Sequence, residues 1–298
     1  MNIFLTGGTG FIGSYVVNDL VQKGHKVTIL ARNPKKVKGF LGNPSIEFVK
    51  GTLYERDIIE KAMKDKDACI HIALGWGNTA VDLLEADTKP SVFILETAAK
   101  LGVKKVIYTS STAAVGELSP MMHVTSAARP IDLYGATKAA TEAYVLSFGS
   151  VPGLCCNIIR PGYTFGNPVV DGASMENDQR FFNIVRKAKN NEPVKLIKND
   201  GTQFIWAGDL AKLYIALLES DLNRKVFFGL GSEFVTWEEI ARYAIEYTDS
   251  RSEIVLEDKG WAEGGFLFDV SDAEQSFELT FDSRDKLKEH VRYISDHI

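Results

Sequence analysis

Three glycines at every third position, Gly7, Gly10 and Gly13, constrain the fold of this chain more than any other feature. A short apolar run precedes them, and apolar residues at helical spacing follow them from Tyr15 onward. A strand that enters such a turn and continues as a helix presents the free N–H groups of the helix to a ligand. Glycine permits the tight turn and the close approach of the ligand because it has no Cβ. The pattern predicts a dinucleotide pyrophosphate site at residues 6–13; the alternative is a strand-to-helix turn without a ligand.

Strand-like and helical segments alternate through the first half of the chain. Apolar runs predict strands at Ile3–Leu5, Val27–Ala31, Ile46–Val49, Ala68–Ala73, Lys105–Tyr108 and Leu154–Ile159. Helical spacing predicts helices at about 11–23, 55–64, 80–101 and 132–149. Such alternation is typical of right-handed βαβ units. We therefore predict an α/β fold with a doubly wound parallel sheet of the Rossmann type.

The character of the sequence changes after Pro161, where a stretch rich in Gly, Pro, Asn and Asp begins. Further helices are predicted at about 179–190, Asp209–Ser220, Thr236–Tyr247 and about 283–296, and further strands at Val194–Ile197 and Val226–Leu230. Asp209 and Thr236 are the predicted N-caps of their helices. We expect a dinucleotide-binding domain at 1–161, to which segments from about 204–228 return, and a smaller substrate-binding lobe at 162–298.

Composition narrows the function classes. The chain has 298 residues, of which 45% are hydrophobic and 24% charged, as in ordinary globular proteins. A net charge of −5 argues against a nucleic-acid partner. No apolar run reaches the roughly 18 residues of a membrane span, and the glycine motif begins too early to leave room for a signal peptide. The three cysteines have no metal-ligand spacing. We expect a cytoplasmic protein with a small-molecule substrate and without a metal, nucleic-acid or membrane partner.

A second group of residues, Ser111, Tyr134 and Lys138, is suited to proton transfer. Tyr134 and Lys138 lie four residues apart in a predicted helix and so share one face. An ammonium beside a phenol lowers the phenol's pKa from about 10, which suits a proton donor or acceptor near neutral pH. Ser111 follows the strand Lys105–Tyr108 and lies at the carboxyl edge of the predicted sheet, where such folds bind ligands. These three residues are the predicted catalytic set.

Together these elements resemble the extended short-chain dehydrogenase/reductases, the NAD-dependent epimerase/dehydratase superfamily, over nearly the whole chain. The sequence TGGTGFIG at 6–13 is similar to the family's TGxxGxxG turn, and Tyr134 with Lys138 to its YxxxK pair. Ser111 falls at the position of the family's catalytic serine or threonine. The segment RPGYTFG at 160–166 is similar to the one that borders the nicotinamide, and a DLA helix start stands at 209–211.

The resemblance implies a division of labour. Tyr134 exchanges a proton with the substrate oxygen while hydride moves between the substrate and a nicotinamide. Lys138 holds the ribose hydroxyls and lowers the Tyr134 pKa, and Ser111 hydrogen-bonds the reacting oxygen. A homodimer through the sheet-flanking helices is also implied. The predicted cofactor-binding residues are Gly7, Thr9, Gly10, Phe11, Ile12, Gly13, Arg32, Thr52, Leu53, Ala73, Leu74, Thr109, Tyr134, Lys138, Pro161 and Gly162.

The end of the second strand bears on which dinucleotide is bound. Dinucleotide folds place an acidic residue there to hold the adenosine ribose, whereas this chain has Arg32, followed by Lys35, Lys36 and Lys38. An arginine can bind a 2′-phosphate with two parallel hydrogen bonds. The segment therefore favours NADP, with NAD as the alternative cofactor and a solvated basic loop as the alternative role.

Departures from the family bear on the substrate. Tyr163 stands where nucleotide-sugar enzymes commonly carry Asn, and Thr52 stands where the family usually has an acidic residue. The stretches 201–208 and 259–265 contain no arginine, although nucleotide-sugar enzymes clamp a diphosphate there. We therefore expect hydride transfer between NADP(H) and a small carbonyl or alcohol. The alternatives are a nucleotide-sugar epimerase or dehydratase with tightly bound NAD(P), and a non-catalytic, cofactor-sensing regulator.

Two further sets complete the candidate site. Large side chains on the expected substrate side suggest an apolar pocket, although each could equally be core packing. The substrate-side candidates are Trp76, Met121, Tyr163 and Trp206. Three carboxylates, Glu117, Asp132 and Glu142, lie near the catalytic segments, where an epimerase or dehydratase would need an additional acid/base.

Overall fold

The computed structural model describes residues 1–176 and 178–298. Its strands are β1 (Asn2–Thr6), β2 (Lys26–Ala31), β3 (Ile46–Lys50), β4 (Ala68–His71), β5 (Lys105–Thr109), β6 (Met121–Met122), β7 (Cys155–Pro161), β8 (Thr164–Phe165), β9 (Val194–Ile197), β10 (Gly201–Thr202), β11 (Ile205–Trp206), β12 (Val226–Gly229), β13 (Val235–Thr236), β14 (Ile254–Glu257) and β15 (Leu267–Phe268). Its α-helices are α1 (Phe11–Gln22), α2 (Arg56–Met63), α3 (Ala80–Leu83), α4 (Lys89–Leu101), α5 (Leu133–Phe148), α6 (Gln179–Lys189), α7 (Ala207–Glu219), α8 (Trp237–Tyr247), α9 (Ser271–Phe277) and α10 (Arg284–His297).

Seven parallel strands form the main sheet, in the order β12-β7-β5-β4-β1-β2-β3. From β1 the chain builds outward to β2 and β3, and it then returns to the other side of β1 with β4 and β5. The strand order therefore reverses between β1 and β4, and such a reversal opens a ligand crevice at the carboxyl ends of the strands. The predicted α/β, Rossmann-type sheet is confirmed.

Apolar side chains cover both faces of this sheet because helices pack on both. Along β1, Ile3 and Leu5 belong to one buried cluster and Phe4 to the other, as the alternation of a strand requires. Helices α1 and α7 lie on the first face, and α2, α4 and α5 on the second. Sheets covered in this way need strands that are apolar throughout, which is why the strand pattern in the sequence is continuous rather than alternating.

The second half of the chain contributes both to the core around the main sheet and to a separate hydrophobic cluster. Helix α7 packs against α1, and β12 pairs with β7 through Val226 and Ile158. A separate cluster joins α6, α8 and α10 around Phe181, Phe204 and Trp237. The boundary between two lobes at 161/162 stays a prediction. Within the described ranges, no helix is both long enough and apolar enough to cross a membrane.

Helix α5 is tied to the sheet by a buried ion pair. Arg160 at the end of β7 donates from Nε and Nη2 to the two carboxylate oxygens of Glu142, at 2.8 and 2.7 Å. Its Nη1 also donates to the carbonyl of Val124 at 3.1 Å. Because both charges are buried and paired with two parallel bonds, the pair fixes the register of α5 against β7.

Two predicted elements differ in the structure. Helix α7 begins at Ala207 after an extended Trp206, so Asp209 lies inside the first turn and the prediction of an Asp209 cap is wrong. Asp209 instead accepts a bond from Lys212 at 2.7 Å. Thr236 does cap α8, in a reciprocal capping box with Glu239, so that prediction is confirmed.

The predicted helix 80–101 is interrupted by a π-helical turn at Leu84–Thr88, between α3 and α4. Pro90 follows the turn and has no N–H for the carbonyl of Ala86, four residues earlier. The Lys89 N–H bonds the carbonyl of Leu84 instead, which is the wider π spacing. Ser91 compensates locally, since its hydroxyl donates to the carbonyl of Asp87 at 2.6 Å.

The glycine turn joins β1 to α1 at the strand reversal. Gly7 has a φ of +81°, and a Cβ there would lie 2.6 Å from the Ala73 nitrogen. A Cβ on Gly13 would lie 2.1 Å from the Gly7 carbonyl oxygen. The turn is thus closed by backbone against backbone on both sides, which only glycine permits.

We predict that Gly7→Ala destabilises the protein more than Gly24→Ala does. Gly24 has the same φ of +81° but open space around its missing Cβ. Both variants incur the strain of a left-handed backbone, about 1 kcal/mol. Only Gly7→Ala adds the clash with Ala73, which we expect to cost at least about 1–3 kcal/mol more. Chemical denaturation of the two variants measures the difference, and equal losses would contradict the close contact.

Candidate active site

The N-terminus of α1 opens into the crevice without a side-chain cap. Gly10 is the N-cap residue, with extended backbone, and its N–H donates to the Gly7 carbonyl at 2.9 Å. No side chain accepts from the first turn and no acidic residue lies in it. The N–H groups of Phe11 and Ile12, with the positive end of the helix dipole, therefore suit an anion such as a pyrophosphate. Thr9 completes the turn and is half-buried.

A chain of hydrogen bonds crosses the strand reversal. Thr6 Oγ1 accepts from the Ala73 N–H at 3.2 Å and lies 2.6 Å from His71 Nδ1. His71 Nε2 lies 2.9 Å from the Ser91 hydroxyl, which donates onward to the Asp87 carbonyl. Ser91 thus accepts from Nε2–H, and Nδ1 accepts from Thr6. Burial, with the nearby Lys138 charge, lowers the His71 pKa to about 3, so His71 is a neutral connector.

The predicted adenosine-side residues lie around the ends of β2, β3 and β4. Arg32 is exposed, and its guanidinium has no ion-pair partner among residues 1–176 and 178–298. Thr52 and Leu53 are half-buried, and the Thr52 N–H donates to the Glu55 carboxylate at 2.8 Å. A carboxylate therefore lies at this turn even though position 52 is not acidic. Leu74, beyond the end of β4, is exposed.

Ser111 and Tyr134 are brought together by the packing of α5 on the turn that follows β5. Asp132 caps α5 by accepting from the Gly135 N–H at 2.6 Å. A Cβ on Gly135 would lie 2.3 Å from the carbonyl of Ala113, so the helix start sits directly on this turn. Burial raises the Tyr134 pKa and the Asp87 and Asp132 charges raise it further, whereas a hydrogen bond with the Ser111 side chain lowers it.

Lys138 lies one helical turn from Tyr134 and is buried. Its Nζ lies 3.2 Å from the Tyr108 hydroxyl, 3.4 Å from the Thr109 carbonyl and 3.3 Å from the Asp87 carboxylate. Burial lowers the Lys138 pKa, and the Asp87 charge opposes that shift. The expected lowering of the Tyr134 pKa by Lys138 is wrong in this structure. The lysine charge is balanced by Asp87, and the pKa of Tyr134 is raised.

Asp87 is a functional candidate that the sequence did not single out. It comes from the π-helical turn, far along the chain from Tyr134 and Lys138. Its only local signal is Pro90, which predicts a break in the helix but not the direction of an aspartate.

The remaining predicted cofactor-binding residues are Thr109, Pro161 and Gly162, and at Thr109 and Gly162 the contacts involve backbone atoms. Thr109 turns its hydroxyl away to Tyr214 at 2.6 Å, and only its carbonyl faces Lys138. Pro161 is buried at the end of β7. The Gly162 N–H donates to the Gly229 carbonyl at 3.1 Å, and Leu230 occupies the space of the missing Cβ.

The four substrate-side candidates fall into two pairs, of which one is exposed and the other packs against aromatic side chains. Trp76 is 67% exposed and its ring lies 6.1 Å from that of Tyr134. Met121 is exposed in β6. Tyr163 packs in the aromatic cluster, 4.8 Å from Phe204 by ring centroids. Trp206 packs against other elements, with Tyr15 of α1 at 5.8 Å.

None of the three carboxylates considered as an extra acid/base is free. Glu142 is held by Arg160, and Asp132 is engaged as the cap of α5. Glu117 is exposed and lies 3.5 Å from Arg129.

Two neighbouring grooves share Asp200 and Trp261, and neither is lined by Ser111, Tyr134 or Lys138. One, of about 640 Å³, includes Leu118 and Pro120 from the loop after Ser111 and has a largely aromatic wall that includes Phe266. The other, of about 690 Å³, carries three cations; these are Arg180, Lys187 and Lys195.

Comparison with known proteins identifies the family. The model of the NAD dependent epimerase/dehydratase family matches residues 3–227. A putative UDP-glucose 4-epimerase of Methanocaldococcus jannaschii is 29% identical over 242 residues, covering 78% of this chain and 77% of the relative. A UDP-N-acetyl-alpha-D-glucosaminuronate decarboxylase of Bacillus cytotoxicus is 28% identical over 274 residues, covering 84% and 81%.

A solved structure of UDP-glucuronic acid 4-epimerase from Bacillus cereus in complex with NAD superposes with a TM-score of 0.83. It is 19% identical and covers 100% of this chain and 99% of that one, so it shows a shared fold. The family model spans β1 to β12, which includes the glycine turn, the Tyr134–Lys138 pair and the strand reversal. The chain belongs to the NAD-dependent epimerase/dehydratase family, the extended short-chain dehydrogenase/reductases.

Proposed function

We propose that the protein moves hydride between NAD(H) and a secondary alcohol or carbonyl carbon, with Tyr134 as the proton donor and acceptor. The observation that carries this proposal is the meeting of Ser111, Tyr134 and Lys138 beside the carboxyl ends of β5 and β4. The uncapped start of α1 lies in the same crevice and fits the cofactor's pyrophosphate.

When bound, the nicotinamide supplies the hydride donor or acceptor. Ser111 orients the substrate oxygen next to the Tyr134 hydroxyl, and Tyr134 gives a proton to that oxygen or takes one from it. Because the Tyr134 pKa is raised, the phenol is neutral near pH 7 and is poised to donate. Lys138 lies behind the phenol and contributes a positive charge that Asp87 balances.

Replacing Tyr134 by Phe should lower kcat by at least about 100-fold, because it removes the proton-transfer group. Cofactor affinity should stay within about threefold, since the glycine turn is unchanged. The matched control is Tyr144→Phe, on the same helix but exposed. Steady-state kinetics and NADH fluorescence titration measure the two effects. Full activity of Tyr134→Phe would refute the mechanism, whereas cofactor binding without turnover in the unmodified protein would support the regulator alternative.

For the substrate we propose a nucleotide-diphosphate sugar. The two relatives described above, a putative UDP-glucose 4-epimerase and a UDP-sugar decarboxylase, are named for such sugars and align over more than three quarters of this chain. The second groove supports this class, because Arg180, Lys187 and Lys195 can face a diphosphate that the missing family arginines would otherwise hold. Asp200 and Glu257 also line this groove, and Arg180 lies 3.5 Å from Asp200, so a diphosphate would compete with that carboxylate for the guanidinium. Hydride would then be removed from the sugar and returned to it, with no net change in the cofactor.

A small apolar carbonyl compound is the second candidate. The groove of about 640 Å³ has no Lys or Arg in its lining, and its wall is mostly apolar, with Asn199, Asp200 and Thr202 as its polar members. The groove residues that favour a ring or acyl group over a diphosphate are Leu118, Pro120, Phe234, Trp261, Phe266 and Phe268. This candidate requires net consumption of the reduced cofactor.

Arg180→Gln separates the two substrate classes. For a diphosphate substrate, loss of the guanidinium should weaken UDP binding by roughly tenfold, the value of one charge-assisted hydrogen bond. Arg186→Gln on the same helix lies outside the groove and should have no effect. Calorimetric titration with UDP gives the affinities, and incubation with UDP-glucose followed by chromatography tests for an isomerised product without NADH loss. Net NADH oxidation with an apolar ketone, and no UDP binding, would instead establish the second candidate.

For the cofactor we propose that the protein accepts NAD(H) and that Arg32 adds affinity for NADP(H). Arg32 directly follows β2, is exposed and has no ion-pair partner among residues 1–176 and 178–298, which leaves its guanidinium free to bind a 2′-phosphate. Arg32→Ala should weaken NADPH binding roughly tenfold and leave NADH binding nearly unchanged. Fluorescence titration of both cofactors with this variant, and with Lys35→Ala as a neighbouring control, measures the effect. Equal affinities for the two cofactors in the unmodified protein would contradict the assignment.

The cytoplasmic location, the homodimer and the division into a cofactor domain and a substrate lobe stay predictions. Exposed apolar side chains on α5, Leu133 and Tyr144, are available for a subunit contact through that helix.

A further inference from the structure

A buried carboxylate lies directly behind the catalytic lysine. Asp87 is 0% exposed in the π-helical turn, and its Oδ2 lies 3.3 Å from Lys138 Nζ. Its Oδ1 accepts the Gly75 N–H at 3.0 Å, which holds the loop after β4 against the turn. A Cβ on Gly75 would lie 1.8 Å from the Ala86 carbonyl oxygen, so the loop and the turn are in close backbone contact. Asp87 therefore cannot swing away without moving the loop that borders the crevice.

Asp87 is the charged neighbour of Lys138, in an ion-pair contact at 3.3 Å. An ammonium has three donors, and the three nearest acceptors of Lys138 are the Tyr108 hydroxyl, the Thr109 carbonyl and the Asp87 carboxylate. A lysine this deeply buried would lose its charge without a counter-ion. Asp87 is the carboxylate in ion-pair contact with it within the described ranges.

The other titratable groups around Lys138 and Tyr134 are neutral or already engaged. Burial holds the Tyr108 pKa well above its usual value and lowers that of His71, so both are uncharged near pH 7. On the elements packed against the π-helical turn, Glu96 and Tyr144 lie exposed at the surface, and other groups are engaged with partners of their own. These groups are Glu142 with Arg160, Asp132 with the Gly135 N–H, Tyr214 with Thr109, Asp82 with Thr79, and Lys89 with Glu85.

We propose that Asp87 is a positioning residue that sets the charge of the catalytic pair, holding Lys138 as an ammonium and keeping both protons on Tyr134 and Lys138 to higher pH. The proposal rests on the proposed function in so far as it takes this pair as catalytic. Asp87 acts through Lys138 and through its field at Tyr134, and it needs no contact with the substrate.

The sign of the effect is the same for both members of the pair. Without the Asp87 charge, Lys138 loses its counter-ion and releases its proton more easily. Tyr134 loses a negative neighbour, so its phenolate also forms more easily. Because the two sites are coupled, whichever proton leaves first leaves at lower pH when Asp87 is neutralised.

The direct test is NMR titration of Asp87→Asn without added cofactor or substrate. Tyrosine labelled at Cζ and lysine labelled at Cε report the two sites, and Tyr134→Phe and Lys138→Gln assign the resonances. We expect at least one of the two sites to titrate about one pH unit or more below its position in the unmodified protein. Glu85→Gln, which removes an exposed carboxylate two residues away, should leave both titrations in place. Unchanged titration of both sites in Asp87→Asn would overturn the proposal.

The same shift should appear in catalysis once a substrate is in hand. In the direction that needs a protonated Tyr134, kcat/KM falls at high pH, and that limb should move to lower pH in Asp87→Asn but not in Glu85→Gln. A failure to find activity would count against the proposed function alone, since the NMR titration reads the pair without turnover.

A stability comparison covers the case in which Asp87→Asn alone does not fold. In the Lys138→Gln background, Asp87 is left as an unpaired buried charge, so adding Asp87→Asn should raise the Tm. In the unmodified background, the same substitution should lower it. A lower Tm in both backgrounds would show that Asp87 acts independently of Lys138 and would overturn the proposal.

Discussion

The rest of the site depends on the backbone contact between the end of β1 and the end of β4. Gly7 lies so close to Ala73 that a side chain would clash, and Gly13 lies as close to Gly7. This contact closes the glycine turn at the strand reversal, so the start of α1 faces the crevice. The hydrogen-bond chain from Thr6 through His71 to Ser91 then links the same strand ends to the π-helical turn. The glycine turn and the π-helical turn that carries the partner of Lys138 thus belong to one connected structure.

Charge balance is the second constraint on the chemistry. The buried cations Lys138 and Arg160 each face a buried carboxylate, Asp87 and Glu142 respectively. An unpaired charge in such surroundings is strongly destabilising, so these carboxylates are not available as proton-transfer groups. Tyr134 is then the group to which the proposed function assigns proton exchange with a substrate. If hydride leaves and returns at a single substrate carbon, protons are exchanged at only one substrate oxygen, and Tyr134 alone can serve both steps of the proposed epimerase reaction.

The parts of the site that were predictable are those encoded in local spacing. The glycines of the turn recur at every third residue, and Tyr134 and Lys138 lie one helical turn apart. Both spacings follow from local backbone geometry, so the turn and the pair can be predicted from the sequence. The Asp209 cap failed because the chain could begin α7 two residues earlier, at Ala207. The position of Tyr163 in the aromatic cluster could not be predicted from local sequence, because its packing partners Phe204 and Trp237 lie far along the chain. The role of Asp87 could not be predicted for the same reason, since its partner Lys138 lies about fifty residues away in the sequence.

The backbone N–H that Pro90 lacks explains the π-helical turn and the position of Asp87 within it. Pro90 cannot bond the carbonyl of Ala86, so the helix widens into a π-helical turn just before it. The widened turn lets the Gly75 loop approach the Ala86 carbonyl and places Asp87 between the Gly75 N–H and the Lys138 ammonium. In a regular helix the carbonyl of Ala86 would be turned into the helix ladder. A proline three residues after Asp87 therefore shapes the turn that carries the counter-ion of Lys138. The irregular backbone at this point has a chemical consequence, because it places a buried carboxylate 3.3 Å from the Lys138 ammonium.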